Sequence, residues 1–272
     1  GRVQLLKQKS TAQQVSTSGT IDLKGINLRY GKDRVPLTGL SGTLQFSNND
    51  LALSNVAAKF GNSDFVLNGF FKNIITYLLF DNQPVGIESD LKSDYLDVNQ
   101  LLRIGYAADG ESASTPDYEF DISRNVFLNF NCDIRKLVYR RFVGQDITGD
   151  LLVKNKVAVS RKLSLQTMGG ALTMSVIVDS NNPKAIDVMV TAHLKDIHLD
   201  SAFYVFENFN QDFILDKHLK GHVTADVNLE LALNQNLKLF PETILANINT
   251  VIRNGELNDF EPTRSSAGYY RS

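Results

Sequence analysis

From Ile21 onward, apolar and polar positions alternate in short runs separated by polar clusters. Residues 222–233, HVTADVNLELAL, are the plainest case. Val223, Ala225, Val227, Leu229, Leu231 and Leu233 interleave there with Thr224, Asp226, Asn228, Glu230 and Ala232. A period of two puts alternate side chains on opposite faces of a strand, one dry and one wet. Earlier in the chain Leu44 and Phe46, then Leu51 and Leu53, flank a turn at Ser47-Asn48-Asn49-Asp50. Asn and Asp suit turns because their side chains bond nearby backbone and tolerate left-handed angles. Val56, Ala58 and Phe60 lead to a second turn at 61–64, and Phe65 and Leu67 follow it. Further on come Val126, Leu128, Phe130, Cys132 and Ile134, then Leu151 with Val153, Val157 with Val159, and Leu163 with Leu165. Leu172, Met174, Val176 and Val178, then Ile186, Val188, Val190, Ala192 and Leu194, complete the series. These are short antiparallel strands joined by tight turns.

Few helices are predicted. Residues 74–80 fit one short helix, and Asp97 and Asp200 can each cap a helix start by accepting free backbone N–H groups. Residues 244–252 fit either a helix opened by Pro241 or a strand. The alternation of Ile244, Ala246, Ile248, Thr250 and Ile252 favours the strand, followed by a hairpin signal at Asn254-Gly255.

The two halves are related. "LSGTLQF" (40–46) aligns with "ITGDLLV" (147–153), and "DLKSDYLDV" (90–98) with "HLKDIHLDS" (193–201). Both copies end at Leu-Asp, at Leu96-Asp97 and at Leu199-Asp200. A strand-built repeat of about a hundred residues implies one sheet extended by duplication, because neighbouring copies then share a buried face. The expected organisation is a loose polar lead-in (1–18), a first β repeat (19–106), a loop (107–117), a second β repeat with closing strands (118–262) and a tail (263–272).

Composition narrows the field. The chain has 272 residues, 43% of them hydrophobic, which is ample for a core. The net charge is −2 and the cations form no run, so a nucleic-acid surface is set aside. Cys132 is the single cysteine, so neither a disulfide nor a thiolate zinc site can be built. The apolar clusters are far shorter than the ~20 residues that cross a bilayer. No signal peptide opens the chain, and its start and tail read as those of a piece of something longer.

Enzyme signatures are absent: no GxSxG, phosphate loop, GxGxxG or HExxH occurs. His218 and His222 are spaced for a metal only on a helix, and Gly221 argues against one, so two solvent-facing histidines are expected. His193 and His198 align with Asp90 and Tyr95, so the repeat does not demand histidine there. Cys132 follows the inward parity of its strand and reads as a small core residue. Asp22, Asp133, Asp146 and Asp150 read as solvated charge. Neither a cofactor nor a metal is expected. The apolar stripes remain, and the pattern alone leaves open whether protein covers them or whether they line an open trough.

Three stretches add a resemblance. "LSGTLQFSNNDLALSNVAAKFGNSDFVLNG" (40–69), "GFFKNIITYLLFDNQPVGIESDLKS" (69–93) leading into "YLDVNQLL" (95–102), and "VIRNGELNDFEP" (251–262) together resemble the AsmA-like family. The likeness is to its C-terminal region in Bacteroidetes-type proteins and covers most of residues 20–262. It implies a mostly β fold: an elongated, curled antiparallel sheet built from two related repeats, with a few short helices. It implies a non-enzymatic periplasmic protein, related to TamB and to bridge-like lipid-transfer proteins. Its parent would be held in the inner membrane by an N-terminal helix that this chain lacks.

The implied partner is phospholipid or another acyl lipid, moving between inner and outer membranes in support of envelope integrity, with envelope proteins as further partners. The groove candidates are Leu44, Phe46, Leu51, Leu53, Phe65 and Leu67 in the first copy. In the second they are Leu151, Val153, Val157, Val159, Leu172, Met174 and Val176, joined by Val223, Ala225, Val227, Leu229, Leu231 and Leu233. The alternative is an assembly scaffold for outer-membrane biogenesis whose apolar face is covered by protein, with sheet edges open to a partner's strand.

Overall fold

The computed structural model describes residues 17–30, 35–101, 120–210 and 215–258. The expected loop at 107–117 and tail at 263–272, and most of the lead-in, lie outside them.

The strands are β1 (Ser18–Tyr30), β2 (Val35–Ser47), β3 (Asp50–Phe60), β4 (Ser63–Lys72), β5 (Val85–Ser93), the two-residue β6 (Leu96–Asp97) and β7 (Val126–Tyr139). They continue with β8 (Phe142–Lys154), β9 (Val157–Thr167), β10 (Gly170–Asp179), β11 (Ile186–His198), β12 (Leu219–Leu233) and β13 (Leu245–Leu257). All join one sheet in the order β1-β2-β3-β4-β5-β7-β8-β9-β10-β11-β12-β13, with β6 beside β7. The sheet is curled, mostly antiparallel and not closed. The duplication is plain in it: β2 to β5 of the first copy recur as β8 to β11 of the second, and each set leads into a short helix.

The antiparallel expectation fails at one joint. β5 pairs with β7 in parallel, Val85 opposite Val126 and Ser93 opposite Ile134. A parallel neighbour requires the chain to return to the starting end of the sheet, which takes a dozen residues or more. Residues 94–125 supply that length. Between β11 and β12 the chain turns back at the same end, and the pair is antiparallel.

The curl has a local cause. Most neighbouring pairs carry a register shift, and several of the bulged residues have left-handed backbone: Gly25 (φ 61), Asn55 (φ 48), Asp146 (φ 48) and Asp196 (φ 59). A bulge bends its strand and leaves an N–H without a ladder partner. Here neighbouring side chains satisfy those groups. Ser41 Oγ accepts from Gly25 N–H at 3.0 Å, Asn68 Oδ1 from Asn55 N–H at 2.7 Å, and Thr224 Oγ1 from Asp196 N–H at 3.2 Å. Gly42 (φ 135) is required at another bulge, where an added Cβ would lie 2.6 Å from the Asn55 carbonyl oxygen. Asn254-Gly255 forms such an irregularity inside β13 rather than the expected hairpin turn, because β12 keeps pairing on both sides of it.

The helix at Ile74–Leu79 forms as expected. Asp97 caps the helix that begins at Val98, its Oδ1 accepting from Gln100 N–H at 3.2 Å. Asp200 does not cap. The helix Leu199–Val205 starts one residue before it, and its carboxylate accepts from Ser201 N–H at 2.7 Å inside the first turn. No helix among the described residues is long and apolar enough to cross a membrane.

Candidate functional site

Side chains opposite each other across a ladder share a face, so the register assigns every strand residue to one side. Starting from β12, Val223, Val227, Leu229, Leu231 and Leu233 face Ile197, Ala192, Val190, Val188 and Ile186 of β11. Leu172, Met174 and Val176 of β10 continue that face. On β8 and β7 it carries Val153 opposite Leu128 and Leu151 opposite Phe130, and the parallel joint passes it to Ile87 of β5. Leu67 and Phe71 of β4 follow, then Leu51, Leu53 and Val56 of β3, and Leu44 and Phe46 of β2. Ile21, Ile26 and Leu28 of β1 and Ile248 and Ile252 of β13 extend it to the two edges. One apolar face therefore crosses both repeats and the parallel joint without a break.

Two of the candidate residues lie elsewhere. Val157 and Val159 pair with Asp179 and Ile177, which face away from Leu172, Met174 and Val176. The cause is the register shift between Met174 and Val176, which turns over the parity of β9. It puts Ala158 and Ser160 on the apolar face instead. Val159 joins Leu152 and Ile177 in a small apolar row on the outer face.

Asp150 holds this bulge and is not the solvated charge expected. Its side chain is only 12% exposed. Its Oδ1 accepts from the backbone N–H groups of Arg161 and Lys162, both at 3.0 Å, and its Oδ2 from Arg161 Nε at 2.6 Å. Burial pushes the carboxyl pKa up. The hydrogen bonds from Arg161 and Lys162 and the Arg161 charge outweigh it and hold the pKa below the ordinary value.

Burial varies along the shared face. Ile134, Ile147 and Leu165 form a buried cluster, and the candidates Leu172 and Met174 pack against it. Ala225 is also buried. The other candidates on this face are half-buried, in contact with sheet neighbours but not covered. At the edges exposure rises to 49% for Ile21 and 57% for Ile248.

Both repeats fasten chain across the same end of the face. In the first, Ser63 Oγ accepts from Asp97 N–H at 2.9 Å and Asp64 Oδ1 from Tyr95 N–H at 2.7 Å. In the second, His198 N–H donates to Met168 carbonyl at 2.9 Å as the Leu199–Val205 helix begins. At the opposite end residues 120–125 cross the strand ends. Phe120 N–H bonds Gln235 carbonyl at 2.6 Å, Asp121 pairs with Lys156 at 2.8 Å, and Ile122 N–H reaches Ser180 Oγ at 3.4 Å. One hollow of about 500 Å³ lies beside the Leu199–Val205 helix, lined by Arg141, Asp200, Tyr204 and Lys217 among others. Another of about 570 Å³ opens mainly on the outer face, over Gly86 and between Phe70 and Phe127.

No group of three or more His, Cys, Asp or Glu among the described residues is placed to hold a metal ion. His222 is half-buried rather than solvent-facing. Its ring meets that of His198 edge-on at 4.5 Å, and its Nδ1 lies 3.2 Å from Asp196. His193 pairs with Asp226 at 2.7 Å on the outer face. Cys132 is half-buried on the apolar face opposite Gly149, and burial pushes its thiol pKa up, which disfavours the thiolate.

No family model and no curated protein matches this chain.

The sequence reading missed one feature. Arg140 and Arg141 form the turn of the β7–β8 hairpin between Tyr139 and Phe142, and Arg135 and Lys136 lie on β7 just before it, Lys136 opposite Gln145. The signal was available: from 135 to 145 the chain carries four cations and no carboxylate.

Proposed function

We propose that the chain is a non-enzymatic lipid-binding segment whose curled sheet holds acyl chains along its apolar face. The supporting observation is the continuity of that face across twelve strands, with no second sheet packed on it among the described residues. Burial of acyl CH₂ groups would contribute ~0.8 kcal/mol each. A surface made of Leu, Val, Ile and Phe discriminates little between chains. This matches the AsmA-like resemblance, and with it a periplasmic setting and movement of phospholipid between inner and outer membranes.

The test is lipid extraction and mass spectrometry on the purified chain, beside Ile248→Asp/Ile252→Asp. Both positions are more than half exposed, so the double variant keeps its fold. Bound phospholipid in the wild type, reduced in the folded variant, is the expected result. A lipid-free wild type that also takes up no fluorescent fatty acid would sink the reading.

One observation favours a second reading. Every described residue of β13 is exposed, and the outer edge of this strand pairs with nothing among the described residues. An open edge of that length can accept a partner's strand. An assembly scaffold would use the edge and leave the apolar face free of lipid.

A further inference from the structure

We propose that the tip of the β7–β8 hairpin docks on the surface of an anionic lipid bilayer. The whole chain is slightly acidic, at −2, yet Arg140 and Arg141 form the turn of one hairpin and Arg135 and Lys136 lie on β7 within a few residues of it. All four are exposed. Among the described residues, only Arg135 of the four is paired with a carboxylate, Asp94 at 3.1 Å, and both partners of that pair are largely open to solvent. The remaining cations are held against aromatic rings. Lys136 Nζ lies 6.0 Å from the centre of Tyr95, and the guanidinium groups of Arg140 and Arg141 lie 5.5 Å from Tyr139 and 5.0 Å from Tyr204.

This combination suits a lipid headgroup layer. Clustered cations are attracted by the negative potential of an anionic leaflet. Tyrosine favours the same depth, because its ring is apolar and its hydroxyl is wet. Tyr204 is 51% exposed and Phe206, at the end of the same helix, is 52% exposed. A nucleic-acid groove would need a longer basic stripe than one hairpin tip provides.

The tip is also preorganised. Arg140 N–H donates to Asn99 Oδ1 at 3.0 Å, and an Arg141 guanidinium N–H donates to the Tyr204 carbonyl at 3.1 Å. The hairpin is thus tied to the terminal helix of each repeat, so little order has to be gained on docking. Docking would bring the end of the sheet where those helices sit up to the bilayer. The proposal uses residues outside the apolar face and can fail independently of the lipid-binding reading.

The experiment is vesicle co-sedimentation of the full chain. Phosphatidylcholine vesicles are compared with equimolar phosphatidylcholine and phosphatidylglycerol, across a salt series. Variants are Lys136→Glu/Arg140→Glu at the tip and Lys72→Glu/Lys154→Glu at the far end of the strands as a charge-matched control. The expected result is preference for the anionic vesicles, weakened by salt. Each cation lost should weaken binding about fivefold, so the tip variant falls by more than ~20-fold while the control holds within about twofold. Circular dichroism and lipid content are read on the same samples, so loss of fold or of bound lipid is seen separately. Equal binding to both vesicle types, or equal loss in both variants, overturns the proposal. So does tighter binding of a DNA duplex than of the anionic vesicles, which would make the tip a polyanion site.

Discussion

Ile197 and Ile248 occupy the same face of the same sheet, Ile248 by strict alternation and Ile197 by way of the bulge at Asp196. Ile197 is 0% exposed and Ile248 is 57% exposed. Ile197 lies on β11, flanked by strands on both sides, where the chain turns into the Leu199–Val205 helix; Ile248 lies on an edge strand with a neighbour on one side only. One sheet face has therefore produced two kinds of surface. One holds the protein together, and the other is left for something else to touch.

The largest expected effect is at the closed site. Ile197→Asp should abolish cooperative folding, and Ile197→Ala should cost about 2–5 kcal/mol in chemical denaturation, because the cavity cannot refill. A cost near zero for the alanine variant would mean that this end is loosely packed and would erase the contrast. Next comes the bulge that redirects β9. Asp150→Ala removes three charge-assisted hydrogen bonds and strands two N–H groups, with an expected loss of about 1.5–3 kcal/mol. Because the folded pKa of Asp150 lies below its unfolded value, the carboxylate contributes stability above about pH 4. That stability is lost as pH falls through the folded pKa, so the gap between wild type and Asp150→Ala should narrow in acid. A gap that stays constant down to acid pH would mean that the charge is not what holds the bulge.

At the open site Ile248→Asp should change unfolding free energy by about 0.5 kcal/mol or less while lowering the lipid recovered with the protein. A large stability loss there would show that β13 is core after all. The smallest effect concerns Cys132. Its raised pKa predicts slow reaction with iodoacetamide at neutral pH in the folded chain and faster reaction in urea. Equal rates would place the thiol in open solvent.

Much of the fold was legible because alternation is a local signal. The strands of both copies, the short helix at 74–80, the capping by Asp97 and the choice of strand for 244–252 all follow from patterns a few residues long. Val157 and Val159 were not legible. Their face depends on a one-residue shift against β10, and no property of Val157-Ala158-Val159 itself reports it. Asp150 was the available hint, since a carboxylate inside an apolar run needs donors, but those donors lie on the next strand. The parallel joint was hidden for a similar reason: pairing direction depends on where a crossover returns, not on the strands it connects. The basic cluster was legible in the sequence as four cations without a carboxylate between 135 and 145, and the hairpin added only the place where they sit, at one end of the sheet.

That parallel joint has a kinetic consequence. Away from β7, each pairing along the sheet joins strands consecutive in the chain, so most of the ladder can form by successive local closures. The parallel contacts of β7 with β5 and β6 have to wait for a long crossover to close. Each half is expected to zip independently, with the seam between them formed last on refolding and opened first under load.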